Sequence, residues 1–511
     1  MYAAAGLLLI ELTHRFFIVW GAPVPPGADM SMHAYITRLI WAADGVPMSY
    51  LPLLDIPEFR TFPVGFHVMS ALTAHSLGVS AVTGSSVVSA VSHGLVAFGL
   101  YAMLRFRHEI ICSALVAVLL AGGIAGIQRM VGWGGNPTVL GLALMAPLFG
   151  LIDAARTGKV IHGVLAGICA LALFLTHTLI FVQCVWVFGL VFLPDFLSWA
   201  ALKRAVRPAI AFFAVFVVMG APYLLSLDTE VSPRVIAWIE DWVRNQDSAW
   251  KGDPGNALWS VPIYLVGRMG WDVISLFLTL GAIALFVFLM RRDREQARRV
   301  ELLILAVGLL VLNTHTWWLP GSYALYPERI AAMCLIPIAL CWAAGFAALR
   351  ARLSKSLGPL RVGVVGVLTI CILSGVQTQR SYRDKIERYS LATSADMAAI
   401  IWIEENTSPE AVIGTNYGDA GLWIPALAGR KVSWPHVNVS QWAAYRPVDK
   451  VSHVFIGARP ASLDTSHWSA STVEQRLPGA EVVFESGDSK VYRVDAPAWP
   501  VPGLNPFEVH D

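Results

Sequence analysis

The chain has 511 residues, of which 56% are apolar and only 14% charged, with a formal net charge of +2 and a mean hydropathy of +0.60. A soluble domain carries about 25% charged residues, and here the deficit falls in successive runs of roughly 17 to 20 nearly uncharged positions, which lipid alone accommodates. So small and dispersed a charge argues against nucleic acid as a partner. The six cysteines, Cys112, Cys169, Cys184, Cys334, Cys341 and Cys371, all lie in apolar runs and read as core hydrophobes, not as a disulfide framework or metal site.

In chain order, the apolar runs predict about eleven spans, at roughly 2–20, 82–104, 110–127, 138–152, 160–176, 179–198, 208–226, 272–290, 300–316, 329–349 and 362–377. The first lacks a basic leader and a small-residue cleavage site, so it reads as a retained span. Glu11 and Arg15 interrupt it four residues apart and can pair on one helix face. The loops between spans alternate in character. RFRHE from Arg105, DAARTGK from Asp153, KRAVR from Lys203, RRDREQARR from Arg291 and RARLSK from Arg350 fall on one side, and short basic loops mark the cytoplasm. The N-terminus is therefore expected inside and everything beyond about residue 380 outside, in a multi-pass protein of the inner (plasma) membrane.

One further segment, PVGFHVMSALTAHSL from Pro63, is apolar enough to compete as a span. Accepting it would place the later basic clusters outside, so it is read as a helix lying on the outer leaflet. The expected organisation is a polytopic α-helical membrane domain over 1–379, with a first outer loop at 21–81, followed by a small extracytoplasmic α/β domain over 380–511. In that second part SADMAAIIWIEEN has helical periodicity and stops at TSPE. AVIGT and SHVFIG read as short buried strands, and AEVVFESGDSKVYRV as a hairpin turning near Gly487-Asp488. YGDAGLWIPALAGR, Tyr417 to Arg430, mixes Gly, Asp, Trp and Arg most densely. It reads either as a turn packed around Trp423 or as a surface facing the membrane domain.

The polar residues that interrupt this pattern gather on the expected outer side, where intramembrane and interfacial polar groups are functional candidates. Asp29 follows Pro-Pro-Gly in the first outer loop, and His33 lies one turn later on the same helix face. Such a pair can bind a metal, orient a hydroxyl or transfer a proton; Asp29 can equally be a plain helix N-cap. The others are His67, Arg129, Trp133 and Asn136 around GWGGNP, His177 in LTHT, His315 in NTHTWW, and Glu328 and Arg329 in YPERI. Each has a simpler alternative. His177 and His315 can be interfacial anchors, GWGGNP a tight turn, and Arg329 a snorkelling side chain. As a group they are expected to line one outward-opening cavity, with Arg329 the cation best suited to holding a phosphate through its planar fork.

GADMSMHAY after a first span, FPVGFH, GWGGNPT, FLTHT, YPERI and the closing WIEENTSPEAVIGTNYGDAGLWIPALAGR together resemble the integral-membrane glycosyltransferases of the GT-C superfamily. The likeness is greatest to prokaryotic members with a small outer C-terminal module. The resemblance implies a hexosyl- or pentosyltransferase that takes its sugar from a polyprenyl-phosphate donor at the outer membrane face and passes it to a glycan, lipid or protein. It also implies that Asp29 acts as base toward the acceptor or holds it, and that Arg329 engages the donor phosphate. Some members hold a divalent cation, Mg2+ or Mn2+, with a second acidic motif at the outer end of the third span. QRMVGWGGNP, from Gln128, has no acid there, which favours a metal-independent mechanism or a metal held by Asp29 with histidines such as His33. Competing readings are a lipid-linked glycan polymerase or ligase, a transporter or flippase, and a non-enzymatic assembly subunit. A transporter should show matched interrupted spans in two halves, and none is evident.

Overall fold

The computed structural model describes residues 2–20, 22–47, 49–54, 63–226, 265, 269, 272–316, 327–357, 389–436, 448–459, 468–495, 499 and 501. The helices run in order α1 (Tyr2–Trp20), α2 (Asp29–Ala43), α3 (Gly65–Leu77), α4 (Ala81–Arg105), α5 (Ile110–Gly123), α6 (Ala125–Trp133) and α7 (Asn136–Ala155). They continue with α8 (Val160–Thr176), α9 (Thr178–Phe196), α10 (Trp199–Ser226), α11 (Val273–Arg292), α12 (Arg294–Thr316), α13 (Pro327–Ala332) and α14 (Leu335–Leu357). The C-terminal part adds α15 (Ser394–Asn406), β1 (Val412–Thr415), α16 (Ile424–Leu427), β2 (Lys431–Val432), β3 (His453–Ile456), α17 (Ala470–Arg476), β4 (Glu481–Ser486) and β5 (Ser489–Arg493).

Among the described residues, six helical stretches are long and apolar enough to cross a membrane, and α5 and α8 are shorter apolar helices. The expected span at 362–377 lies outside the described residues. Several boundaries differ from expectation. The run 110–127 breaks at Ile124, whose backbone is extended, just after Gly122-Gly123 has weakened the helix. KRAVR and RARLSK are not loops but lie inside α10 and α14, RRDREQARR is helical apart from Asp293, and the run 329–349 is divided between α13 and α14.

The chain divides into two compact units, one of Met1–Ile18, Ala90–Met130 and Asn136–Arg383, the other of Val19–Ser89, Val131–Gly135 and Asp384–Asp511. In the first unit, ion pairs tie helix ends together. Arg107 pairs with Asp153 at 2.7 Å, Arg156 with Asp195 at 2.7 Å, and Arg299 with Asp195 at 3.2 Å and Asp153 at 3.4 Å. Arg350 pairs with Glu109. The C-terminal ends of α4, α7, α9 and α14 and the start of α12 therefore share one end of the bundle. Four of the five basic clusters read from the sequence contribute to this end or its edge. At the other end of α1 and α5, buried Arg15 pairs with Glu11 and donates to the Ala121 carbonyl, and Ser275 Oγ donates to the Gly123 carbonyl at 3.0 Å.

The second unit holds α2, α3 and the C-terminal module. Its sheet has the order β2-β1-β3-β5-β4, with β1 parallel to β2 and β3, and β5 antiparallel to β3 and β4. All three expected strand regions are present, and the hairpin turns at Gly487, as the sequence predicts. Trp434, Trp468, Trp499, Val454, Ile456 and Tyr492 form the core on one side of the sheet. On α15, a capping box joins Thr393 to Asp396, whose other oxygen accepts from Ala458 N and Ser489 Oγ at 2.7 and 2.6 Å.

Helix α2 is clamped into this unit. Arg38 Nη1 donates to the Ala426 and Leu427 carbonyls at 3.0 and 2.9 Å, so a cation meets the negative end of α16. Tyr35 hydroxyl donates to the Tyr50 carbonyl, and Ser85 Oγ to Thr37 Oγ1 at 3.1 Å. At the N-terminal end, backbone meets backbone. Gly27 and Gly134 have φ of +95° and +94°, and a β-carbon on Gly27 would sit 2.0 Å from Gly134 N. The second glycine of the GWGGNP turn thus lets the chain lie directly on the start of α2. Gly27→Ala should lower the melting temperature of the detergent-solubilised protein clearly, because it adds backbone strain of about 1–3 kcal/mol to a clash with backbone. Gly45→Ala, where a β-carbon meets almost nothing, is the control.

Candidate active site

The site is built where α2 begins. Pro25 and Pro26 stiffen the approach, Gly27 turns the chain through its positive φ, and the helix starts on Asp29 itself. The N-cap is Ala28, which makes no side-chain cap, so the capping alternative for Asp29 fails. Its carboxylate instead meets His436. His436 Nε2–H donates to Asp29 Oδ1 at 2.7 Å, and Tyr417 hydroxyl donates to His436 Nδ1 at 3.2 Å. With a neutral imidazole both bonds are satisfied by one tautomer. The Asp29 side chain is 39% exposed and that of His436 14%, so the acid faces outward while its partner is held inside.

The sheet explains how the two partners arrive together. Tyr417 lies two residues beyond β1 and His436 four beyond β2, and these adjacent parallel strands point their C-terminal ends to one edge. The chain leaves β1 for β2 on one side and β3 on the other, so the order reverses at β1, where open α/β sheets place their ligands. Asp419 sits in that crevice. It accepts from Gly421 N at 2.7 Å and Gly457 N at 3.1 Å. Burial pushes its carboxyl up to about 7, against the downward pull of those two N–H groups.

On α2, one turn after Asp29, stands His33. Its Nδ1 lies 2.9 Å from His67 Nε2, and His67 Nδ1 lies 3.1 Å from the Pro63 carbonyl. A carbonyl only accepts, so His67 carries its proton on Nδ1 and His33 donates to Nε2. Burial, with His33 beside it, holds His67 well below the usual imidazole range. Trp133 is half-buried in the same unit.

The remaining expected residues belong to the first unit. His177 caps α9, its Nδ1 accepting from Ile180 N at 3.3 Å while Nε2 bonds Thr138 Oγ1 at 2.9 Å, a structural anchor. Asn136 heads α7, with Oδ1 2.9 Å from His93 Nε2. Arg329 lies half-buried on α13. Arg129, His315 and Glu328 sit on α6, α12 and α13, and their side chains lie outside the described residues. The sequence reading missed His436, Tyr417 and His93. Tyr417 fell within the segment singled out for its density, but nothing in hydropathy links position 436 to position 29.

A divalent cation finds no ready ligand set here. Among the described residues no three His, Cys, Asp or Glu side chains converge, Asp29 Oδ1 is taken by His436, and His33 Nδ1 by His67. Mg2+ and Mn2+ prefer oxygen ligands, and no step below runs through a metal.

Solved structures share this fold. ArnT from Cupriavidus metallidurans, determined with undecaprenyl phosphate bound, matches with a TM-score of 0.62 at 13% identity, over 96% of this chain and 97% of that one. The archaeal oligosaccharyltransferase AglB from Archaeoglobus fulgidus, in complex with an inhibitory peptide and a dolichol-phosphate, matches with 0.55 at 15%, over 85% and 64%. The arabinofuranosyltransferase AftD from Mycobacteria matches with 0.56 at 13%, over 97% and 40%. This chain thus spans about two-thirds and two-fifths of the latter two. The fold is that of the GT-C glycosyltransferases. No curated protein matches the sequence. Over residues 1–451 the chain matches, and belongs to, the family of unknown function DUF6541.

The raised Asp419 value has a measurable consequence. A carboxyl raised in the fold stabilises below its unfolded value near 4 and loses that contribution as pH rises through about 7. The difference in melting temperature between Asp419→Asn and wild type should therefore shift in the variant's favour from pH 4 to pH 7.5. A constant difference would show that Asp419 does not titrate in that window.

Proposed function

We propose that the protein is a membrane glycosyltransferase that moves a sugar from a polyprenyl-phosphate donor to an acceptor hydroxyl at the extracytoplasmic face. The observation that carries the reading is the half-exposed Asp29 carboxylate at the head of the first-loop helix, in a fold shared across nearly the full length of ArnT. The choice of face is supported by the alternation of short basic loops along the sequence, which the positive-inside tendency assigns to the cytoplasm.

In the reaction the acceptor oxygen attacks the anomeric carbon, its proton passes to Asp29, and the bond from that carbon to the phosphate oxygen breaks with its electrons going to the phosphate. A lipid phosphate is a good leaving group, so no acid is needed to expel it. A cation must offset the charge that develops there, and Arg329, opening an apolar helix after Pro327, is assigned that role. His33, paired with His67, is assigned to the wall of the acceptor side.

The test is transfer by purified protein in lipid nanodiscs from a panel of labelled polyprenyl-phosphate sugars. Asp29→Asn should lower kcat by about 100-fold or more with donor binding kept. Arg329→Ala should raise the donor KM by about 10-fold or more, the loss of one charge-assisted contact. Unchanged turnover in Asp29→Asn would remove the carboxylate from the chemistry.

A further inference from the structure

The C-terminal module reaches the first-loop helix with a side chain that touches its acid. We propose that His436, oriented by Tyr417, is the positioning residue for Asp29, so that the module supplies a working part of the active site. The inference rests on the glycosyltransferase reading for its chemistry, but its geometry stands within one unit of the structure.

Three observations converge. First, the bond between Asp29 Oδ1 and His436 Nε2 is 2.7 Å, the short end of the range for a donor meeting a carboxylate. Second, Tyr417 holds the opposite ring nitrogen at 3.2 Å, with the two rings tilted by 31° at 5.9 Å, so the imidazole is held in plane, and in its neutral form one tautomer satisfies both bonds. Third, Tyr417 and His436 come from the C-terminal ends of β1 and β2, the sheet edge beside the switch point, where such modules carry function. A half-exposed pair of this kind contributes only about 1 kcal/mol to folding, so stability is a poor reason for so ordered an arrangement.

The chemistry follows from the donor's direction. Nε2–H at Oδ1 stabilises the ionised carboxylate and fixes its plane, so the carboxylate meets the acceptor's proton in one orientation. Once Asp29 is protonated, the imidazole remains bonded to Oδ1 and keeps the acid from rotating away before product leaves. Tyr417 acts one step further out, by keeping Nδ1 an acceptor and hence Nε2 the nitrogen that bears the proton. No further co-reactant is required.

The experiment uses full-length protein in nanodiscs. His436→Ala should lower kcat by about 100-fold with the donor KM within about twofold, and imidazole added to the buffer should restore part of the loss. Tyr417→Phe should cost a smaller factor, about 3- to 10-fold. Less than threefold loss in a folded His436→Ala variant, or a loss that imidazole does not relieve, overturns the proposal. A second measurement is independent of turnover. In protein labelled with 15N-histidine, the His436 signals should report the Nε2-protonated tautomer and shift in Asp29→Ala and in Tyr417→Phe. Signals of the other tautomer, or signals indifferent to both changes, overturn it as well. If no sugar donor is turned over while the tautomer is as expected, the transferase reading fails and the Asp29–His436 geometry survives.

Discussion

The seat of α2 is the constraint on which the rest depends. A hydrogen bond between residues 407 positions apart joins the 21–81 loop to the C-terminal module, yet it is half-exposed and too weak to hold them together. The strength comes from elsewhere. Arg38 grips the carbonyl end of α16, Gly27 N donates to the Tyr389 carbonyl at 2.9 Å, and two glycines with positive φ let backbone lie on backbone. The Asp29–His436 bond is then free to serve orientation, because the surrounding contacts have already fixed its length.

This arrangement explains several features of the sequence that otherwise look decorative. PPGAD is a rigid approach, a turn and an acid placed on the first helical residue. GWGGNP is the surface on which that turn rests. YGDAGLWIPALAGR folds as a short 3-10 turn followed by α16, buries Trp423 completely, presents the carbonyls that Arg38 binds and carries the Tyr417 that orders His436. The packed-turn reading of this segment was correct about Trp423 and incomplete about Tyr417.

Elements governed by local periodicity were readable in advance. The apolar helices, the hairpin at Gly487 and the helix over SADMAAIIWIEEN follow from hydropathy, alternation and helical periodicity. The Glu11–Arg15 pair followed from helical spacing. What was not legible depends on contacts between distant segments. His436 follows Trp434 and Pro435 in an unremarkable turn, and only the pairing of β1 with β2 brings it to Tyr417. His177 illustrates the opposite case: a histidine at a helix junction invited a functional reading, and its two bonds show a cap and an anchor. The ion pairs among Arg107, Asp153, Arg156, Asp195 and Arg299 turned a statistical preference about loop charge into a shared bundle end.

The central claim concerns where the reacting carbon of the donor lies. Its most direct test is a cryo-EM structure of the protein with an unreactive polyprenyl-phosphonate sugar bound. The account predicts the anomeric carbon at about 5–7 Å from the Asp29 carboxylate, which leaves one acceptor hydroxyl about 3 Å from each. An anomeric carbon more than about 10 Å from the Asp29 carboxylate would contradict it.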